Sequence, residues 1–255
     1  MDSVEQRRLA YLDAMDIQVW KPRIKAAPGL YAEIHPAAPL GEVEGHIAAS
    51  LEKTSAEQKA QAQTSAQFSS AFCDWDPLEE KVRGCSACPL HQNRTQTVFG
   101  VGNRQAAWMV IGEAPGEQED LQGEPFVGRA GLLLNEMLRA IGLAREQVYI
   151  ANVLKCRPPR NRDPQAHEAE ACEAYLKNQL ALVRPRIILA VGRIAAQDLL
   201  KTATPIGKLR GVVHRYENIP LVVTYHPAYL LRSPTEKRRA WDDLRLALKT
   251  FRQAD

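Results

Sequence analysis

The residues in this chain best able to do chemistry are a set of cysteines, one asparagine, one histidine and a few carboxylates. Cys85-Ser86-Ala87-Cys88 is a CxxC pair, Cys156 follows an apolar run, and Cys172 comes fifteen intervening residues later. Four thiolates can close around one metal centre, and zinc and a [4Fe–4S] cluster both accept such a set. The wide second pair departs from the repeated CxxC spacing usual for zinc, and a set of free thiols is the remaining reading of the spacing. Cys73 falls outside the pattern and reads as a free thiol.

Three further groups each follow a short apolar run. Gly112-Glu113-Ala114-Pro115-Gly116 makes a tight turn where backbone can approach a ligand closely, and the acidic Glu117, Glu119 and Asp120 come next. Phe126, held between Gly123 and Gly128, either offers its face to a base or sits in the core. The amide of Asn152 carries both a donor and an acceptor, the chemistry needed to read a pyrimidine edge. Lys155, Arg157, Arg160 and Arg162 after it suit phosphate, or form a solvated loop. His226 opens the run His226-Pro227-Ala228-Tyr229-Leu230-Leu231-Arg232. Leu230 and Leu231 at a loop tip are apolar enough to wedge into a base stack, or else pack beneath the next helix.

The elements that must position these groups are legible as patterns. Residues 108–112, 148–153, 186–191 and 221–225 are short, apolar and rich in β-branched side chains, and read as buried strands. Helices are expected over 130–141, ended by Gly142, and over 164–183, capped by Asp163 with Pro164 at the first position. Two more are expected over 193–200 and over 234–252, the last behind a capping box Ser233-Pro234-Thr235-Glu236. Strands alternating with helices predict an α/β domain whose mostly parallel sheet is covered on both faces. Ligands bind such sheets beyond the C-terminal strand ends, where Gly112, Asn152 and His226 all fall.

Composition divides the chain of 255 residues in two. Residues 1–77 hold 7 Lys/Arg against 11 Asp/Glu, whereas residues 78–255 hold 26 against 19, so the second part is the one suited to a polyanion. Residues 3–16 have helical periodicity, and residues 47–71, rich in Ala, Ser, Gln, Lys and Glu, read as a flexible linker. The expected organisation is therefore an N-terminal extension over 1–77 and a folded domain over 78–255. No run approaches the roughly 18–20 apolar residues of a membrane span, so no membrane association is expected. The N-terminus lacks the layout of a signal peptide, which predicts a cytoplasmic protein and cysteines that are ligands or free thiols rather than disulfides.

Together these motifs resemble the family-4 uracil-DNA glycosylases. The resemblance covers roughly residues 78–252. It rests on Cys85-x-x-Cys88-Pro89-Leu90, Gly112-Glu113-Ala114-Pro115-Gly116, Gly123-Glu124-Pro125-Phe126-Val127-Gly128, Asn152 with Lys155-Cys156-Arg157-Pro158-Pro159, Cys172, and His226 through Arg232. It implies a three-layer α/β/α domain around a four-stranded parallel sheet. It implies a [4Fe–4S] cluster on Cys85, Cys88, Cys156 and Cys172, structural rather than redox-active, holding the basic loop around Arg157 against DNA. It also implies a monomer acting on uracil-containing DNA.

The roles implied are specific. Gly112, Ala114 and Gly116 border the flipped base, Phe126 stacks on it, Asn152 reads its edge, and His226 stabilises the departing uracil anion. Lys155, Arg157 and Arg160 meet phosphates, while Leu230, Leu231 and Arg232 hold the vacated place in the duplex. The best-known uracil glycosylases carry an aspartate two residues after the first glycine of this turn, where this chain has Ala114; Glu113, the nearest carboxylate in the motif, is the catalytic candidate for positioning the water, or else it braces the loop, or catalysis relies on leaving-group stabilisation with little base assistance. A related branch stays covalently attached to DNA through a histidine in an inserted basic loop. No such insertion follows Phe126, so a trapped product is not expected. The competing readings are a non-catalytic, metal-stapled module that binds DNA or damaged bases, and a nucleotide hydrolase, which would lack its GxxxxGK[ST] phosphate loop. Residues 3–22, with Trp20 and an apolar face, suit docking to a repair or replication protein, or equally packing back onto the domain.

Overall fold

A computed structural model describes residues 74–253. The helix expected over 3–16, the linker over 47–71 and Cys73 lie outside the described residues. The described chain begins with α1 (Trp75–Arg83), a 3-10 turn at Pro89–Gln92, β1 (Val101–Gly102), β2 (Trp108–Gly112), α2 (Glu117–Gln122), α3 (Arg129–Ala140) and β3 (Tyr149–Asn152). It continues with α4 (Ala166–Val183), β4 (Ile187–Val191), α5 (Arg193–Leu199), α6 (Ile206–Leu209), β5 (Val213–Tyr216), β6 (Ile219–Thr224), α7 (Pro227–Arg232) and α8 (Lys237–Gln253).

The sheet is mixed and six-stranded, in the order β1-β3-β2-β4-β6-β5. This corrects the expectation of a four-stranded parallel sheet. The four expected strands do run parallel to one another, but β1 and β5 add antiparallel edges. The alternation of side chains along the inner strands sends residues to opposite faces. Met109, Ile111, Ile188 and Val223 pack on one face with Leu78 and Val82 of α1 and Leu176 and Leu180 of α4. Val110, Leu189 and Val222 pack on the other with Leu134 and Leu138 of α3 and Leu244 of α8. Each large apolar side chain buried this way contributes about 1.5–3 kcal/mol. Two apolar layers therefore hold the strand ends in fixed register. Among the described residues, no helix is long and apolar enough to cross a membrane.

Several boundaries differ from the sequence expectation for local reasons. Helix α4 starts at Ala166 because Glu168 folds back to accept the Gln165 backbone N–H at 2.9 Å. Asp163 does not cap it; its carboxylate pairs with Arg193 at 2.6 Å. Before α8, Pro234–Glu236 form a 3-10 turn in which Ser233 makes no side-chain cap, while Glu236 pairs with Arg239 at 3.0 Å. The α3 terminus matches: Gly142 takes a left-handed φ of 85° and the Leu143 N–H reaches the Leu138 carbonyl at 3.0 Å.

Candidate functional site

The C-terminal ends of β2, β3 and β6 open into a cleft of about 390 Å³ whose lining includes Glu113, Ala114, Phe126, Asn152, His226 and Arg232. The parallel register sets Gly112 beside Asn152. Pairing continues past the strands, with Val153 N–H donating to Gly112 O at 2.9 Å and Leu154 N–H to Glu113 O at 3.0 Å. Glu113 and Asn152 thus enter the cleft from two adjacent, mutually bonded backbones. Gly112 lies beneath the cleft. A Cβ there would stand 2.4 Å from Asn152 Oδ1 and 2.7 Å from the Phe126 ring, so only glycine lets both side chains cross the strand end.

Asn152 is 2% exposed, and its Oδ1 has no hydrogen-bond partner. An unpaired buried carbonyl oxygen costs on the order of 1–3 kcal/mol, which a ligand N–H would recover. The Phe126 ring stacks against His226 with centroids 5.6 Å apart and planes inclined by 30°. Phe126 has a left-handed φ of 55°, uncommon for a bulky residue. Its turn is clamped on both sides: Val127 and Gly128 N–H groups donate to Glu119 Oε1 at 3.0 and 3.2 Å, and Arg145 donates to Pro125 O at 2.6 Å. The other oxygen of Glu119 accepts the Gly116 N–H at 3.1 Å. One carboxylate therefore ties the 112–116 turn to the Phe126 turn.

His226 caps α7, its Nδ1 accepting the Ala228 backbone N–H at 3.1 Å. A neutral ring with an accepting Nδ1 carries its proton on Nε2. Burial, reinforced by the positive charge of Arg232 against a smaller opposing effect of Glu119, pushes the imidazole down to about 4, so it is neutral at physiological pH. Gly192, with φ 104°, follows β4 and passes His226 so closely that a Cβ would lie 3.0 Å from the histidine Cβ. Burial, together with the negative charge of Asp163 and against the opposing Arg193, raises Glu113 to about 7. The cleft thus holds a neutral N–H donor and a carboxyl group that ionises near neutrality, a pairing suited to acid–base work.

Glu119, Arg145 and Gly192 were not singled out as site residues from the sequence. Glu119 had a legible signal, standing three residues after Gly116 at the N3 position of a capping box. Arg145 and Gly192 had none, because their contacts are long-range.

The expected DNA contacts separate into two groups. Arg160, Leu231 and Arg232 are exposed, and Arg157 is partly exposed, donating to Asn161 Oδ1 at 2.8 Å. Lys155 is not a surface cation: it is 1% exposed, and its ammonium donates inward to Asn152 O and Gln179 Oε1. Leu230 is not a wedge: the segment read as a loop tip is helix α7, and its inward face places Leu230 at 0% exposure in the core.

Cys85, Cys88, Cys156 and Cys172 line a second, smaller cavity together with Arg94, Lys155 and Tyr175. None of the four forms a disulfide. Arg94 Nη1 donates to Cys156 Sγ at 3.1 Å. Burial raises Cys156 and pushes Cys172 up to about 11, so without a bound cation these sulfurs stay protonated. Among the described residues, no three His, Cys, Asp or Glu side chains converge as the ligands of a single metal ion would.

Comparison with known proteins agrees with this geometry. A model of the uracil DNA glycosylase superfamily matches residues 99–245. A type-4 uracil-DNA glycosylase of Archaeoglobus fulgidus is 47% identical over 167 residues, spanning 62% of this chain and 84% of the relative. Its counterpart in Thermotoga maritima is 44% identical over 164 residues, spanning 64% and 85%. That of Pyrobaculum aerophilum is 41% identical over 179 residues, spanning 67% and 91%. The matched region takes in all three strand ends that form the cleft, and the chain belongs to the uracil DNA glycosylase superfamily.

Proposed function

We propose that the protein hydrolyses the N-glycosidic bond of uracil in DNA, releasing free uracil and leaving an abasic site for base excision repair. The observation that carries this reading is the buried, unpartnered Asn152 Oδ1 in one cleft with an aromatic face and a neutral histidine donor. A deoxyuridine flipped from the stack enters the cleft, at a cost of a few kcal/mol for unstacking. The Phe126 ring packs on the base. Asn152 Oδ1 accepts the uracil N3–H while its amide N–H donates to O4. Cytosine reverses both polarities and leaves the amide unpaired.

Bond cleavage moves the electron pair of the C1′–N1 bond onto uracil. His226 Nε2–H donates to the oxyanion that develops on the base, a stabilisation that is greatest in a site shielded from water. Water then adds its oxygen to C1′ and yields a proton to Glu113 or to solvent. Arg157, Arg160 and Arg232 contact phosphates around the flipped nucleotide, and Leu231, the exposed leucine of α7, occupies the vacated place. The test is incubation of the chain with a uracil-containing oligonucleotide followed by alkali. Strand cleavage at uracil is expected; an intact strand favours the non-catalytic binding module.

The role given to Glu113 has its own test. Its carboxyl ionises near 7, so the ionised form required of a base is lost as pH falls below that value. Single-turnover excision is expected to rise through a limb near pH 7 and level above it. Glu113→Gln should abolish that limb and lower the plateau by about 10²-fold. Full-rate excision by the variant across this range would remove Glu113 from water activation.

Cys85, Cys88, Cys156 and Cys172 fit a thiolate-only donor set and would hold a [4Fe–4S] cluster, which supplies a covalent cross-link between the α1 end, the basic loop and α4. Aerobically purified protein is expected to be brown with a broad visible band that Cys156→Ala abolishes, whereas colourless, zinc-containing protein contradicts the cluster. The reading extends to a cytoplasmic monomer whose residues 3–22 dock a repair or replication protein; loss of that partner, with excision retained, on truncation near residue 72 supports the docking role.

A further inference from the structure

Gln179 lies about one turn before the C-terminal end of α4 and is 0% exposed. Burying an amide there costs free energy unless its polar atoms are bonded, and a leucine would fill similar space without that requirement. The bonds it makes are directed. Its Nε2 donates to Phe99 O at 2.9 Å and to Tyr149 OH at 3.2 Å. Its Oε1 accepts from Lys155 Nζ at 2.7 Å. Lys155 Nζ donates in turn to the backbone carbonyl of Asn152 at 2.8 Å. A buried chain of hydrogen bonds thus runs from α4 to the last residue of β3, the residue whose side chain enters the cleft.

This chain reaches Asn152 at a point where the sheet does not hold it. On the β2 side, the ladder extension secures Gly112 and Glu113 through the N–H groups of Val153 and Leu154. The Asn152 carbonyl is secured by Lys155. We infer that Gln179 is a positioning residue for base recognition, holding Lys155 so that the Asn152 carboxamide meets the flipped base. The inference rests on the proposed excision of uracil and adds to it a specificity support on a helix remote from the cleft.

The test is single-turnover excision by the full chain from an oligonucleotide with one uracil. Gln179→Leu is expected to slow excision by about tenfold, since misplacing a substrate-positioning group by ~1 Å costs up to about 10²-fold. A role in stability alone would lower both backgrounds equally, so the deciding measurement is a double-mutant cycle with Asn152→Ala. If Gln179 acts through Asn152, Gln179→Leu causes no further loss when Asn152 is already alanine. An equal loss in both backgrounds, or full-rate excision by Gln179→Leu, overturns the inference. Should Gln179→Leu fail to fold, Tyr149→Phe removes one anchor of the Gln179 amide and is read in the same cycle: loss confined to the Asn152-containing background supports the inference, and equal or no loss overturns it. Additivity with an active parent removes this inference alone, whereas a parent that excises no uracil removes the functional reading and this inference together.

Discussion

Replacing His226 by alanine is expected to slow single-turnover release of uracil by about 10²- to 10³-fold, with DNA binding nearly unchanged. The size follows from what the ring offers. Its Nδ1 is occupied by the Ala228 N–H, so the only proton of the neutral ring sits on Nε2, the atom left to face the substrate. The ring is neutral down to about pH 4, so it stabilises the leaving uracil as a hydrogen-bond donor rather than as a cation. The sign of the pH effect follows. Protonation of His226 requires pH below about 4, and no histidine limb should appear between pH 5 and 8. The rising limb expected in that window belongs to Glu113, near 7, and it should persist in His226→Ala. A variant that loses the limb along with the rate would mean that His226, not Glu113, controls it.

The second large effect concerns Asn152. Asn152→Asp is expected to lower excision of uracil by at least about 10²-fold and to create activity on cytosine. Uracil presents a donor at N3 and an acceptor at O4, matching the carboxamide. A protonated carboxyl group presents the reverse: its O–H donates to cytosine N3 and its carbonyl accepts from the cytosine amino group. Burial at this position, where the parent side chain is 2% exposed, favours the protonated form. Activity on cytosine should therefore peak, lost at high pH as the introduced carboxyl ionises and at low pH as Glu113 is protonated, whereas the uracil activity of the parent levels at high pH. Measuring both substrates across pH checks this, and a variant with unchanged selectivity would show that Asn152 does not read the base.

Much of this site was legible in the sequence because it sits on the strongest local patterns. The inner strands are short apolar runs; Gly112 and Asn152 end two of them and His226 stands two residues past a third, so the apolar runs located the cleft. Strand β5 was not legible. Its start is exposed, with Val213 at 45%, and its hairpin turn uses Glu217 and Asn218 at φ 46° and 65° in place of the Asn-Gly pair that marks such turns. Strand β1 is two residues long, too short for any periodicity. Lys155 and Leu230 failed for a different reason. A basic run after a strand and two leucines beside an arginine look alike in sequence whether they point in or out. The outcome was set by partners far along the chain: Gln179 for the lysine, and the α3 and α8 side chains for the leucine. The Phe126 turn is similar, since its left-handed backbone depends on Glu119 and Arg145, which no local motif connects to it.

The most direct test of the central claim is to identify the base released from an oligonucleotide that carries one uracil among normal cytosines and thymines, by mass spectrometry under single-turnover conditions. The account predicts one free uracil and one abasic site per strand, no cytosine or thymine, and release slowed by at least about 10²-fold but still measurable in the Asn152→Ala and His226→Ala variants. A strand that is bound but releases no base, or release of uracil that survives both substitutions undiminished, would contradict it.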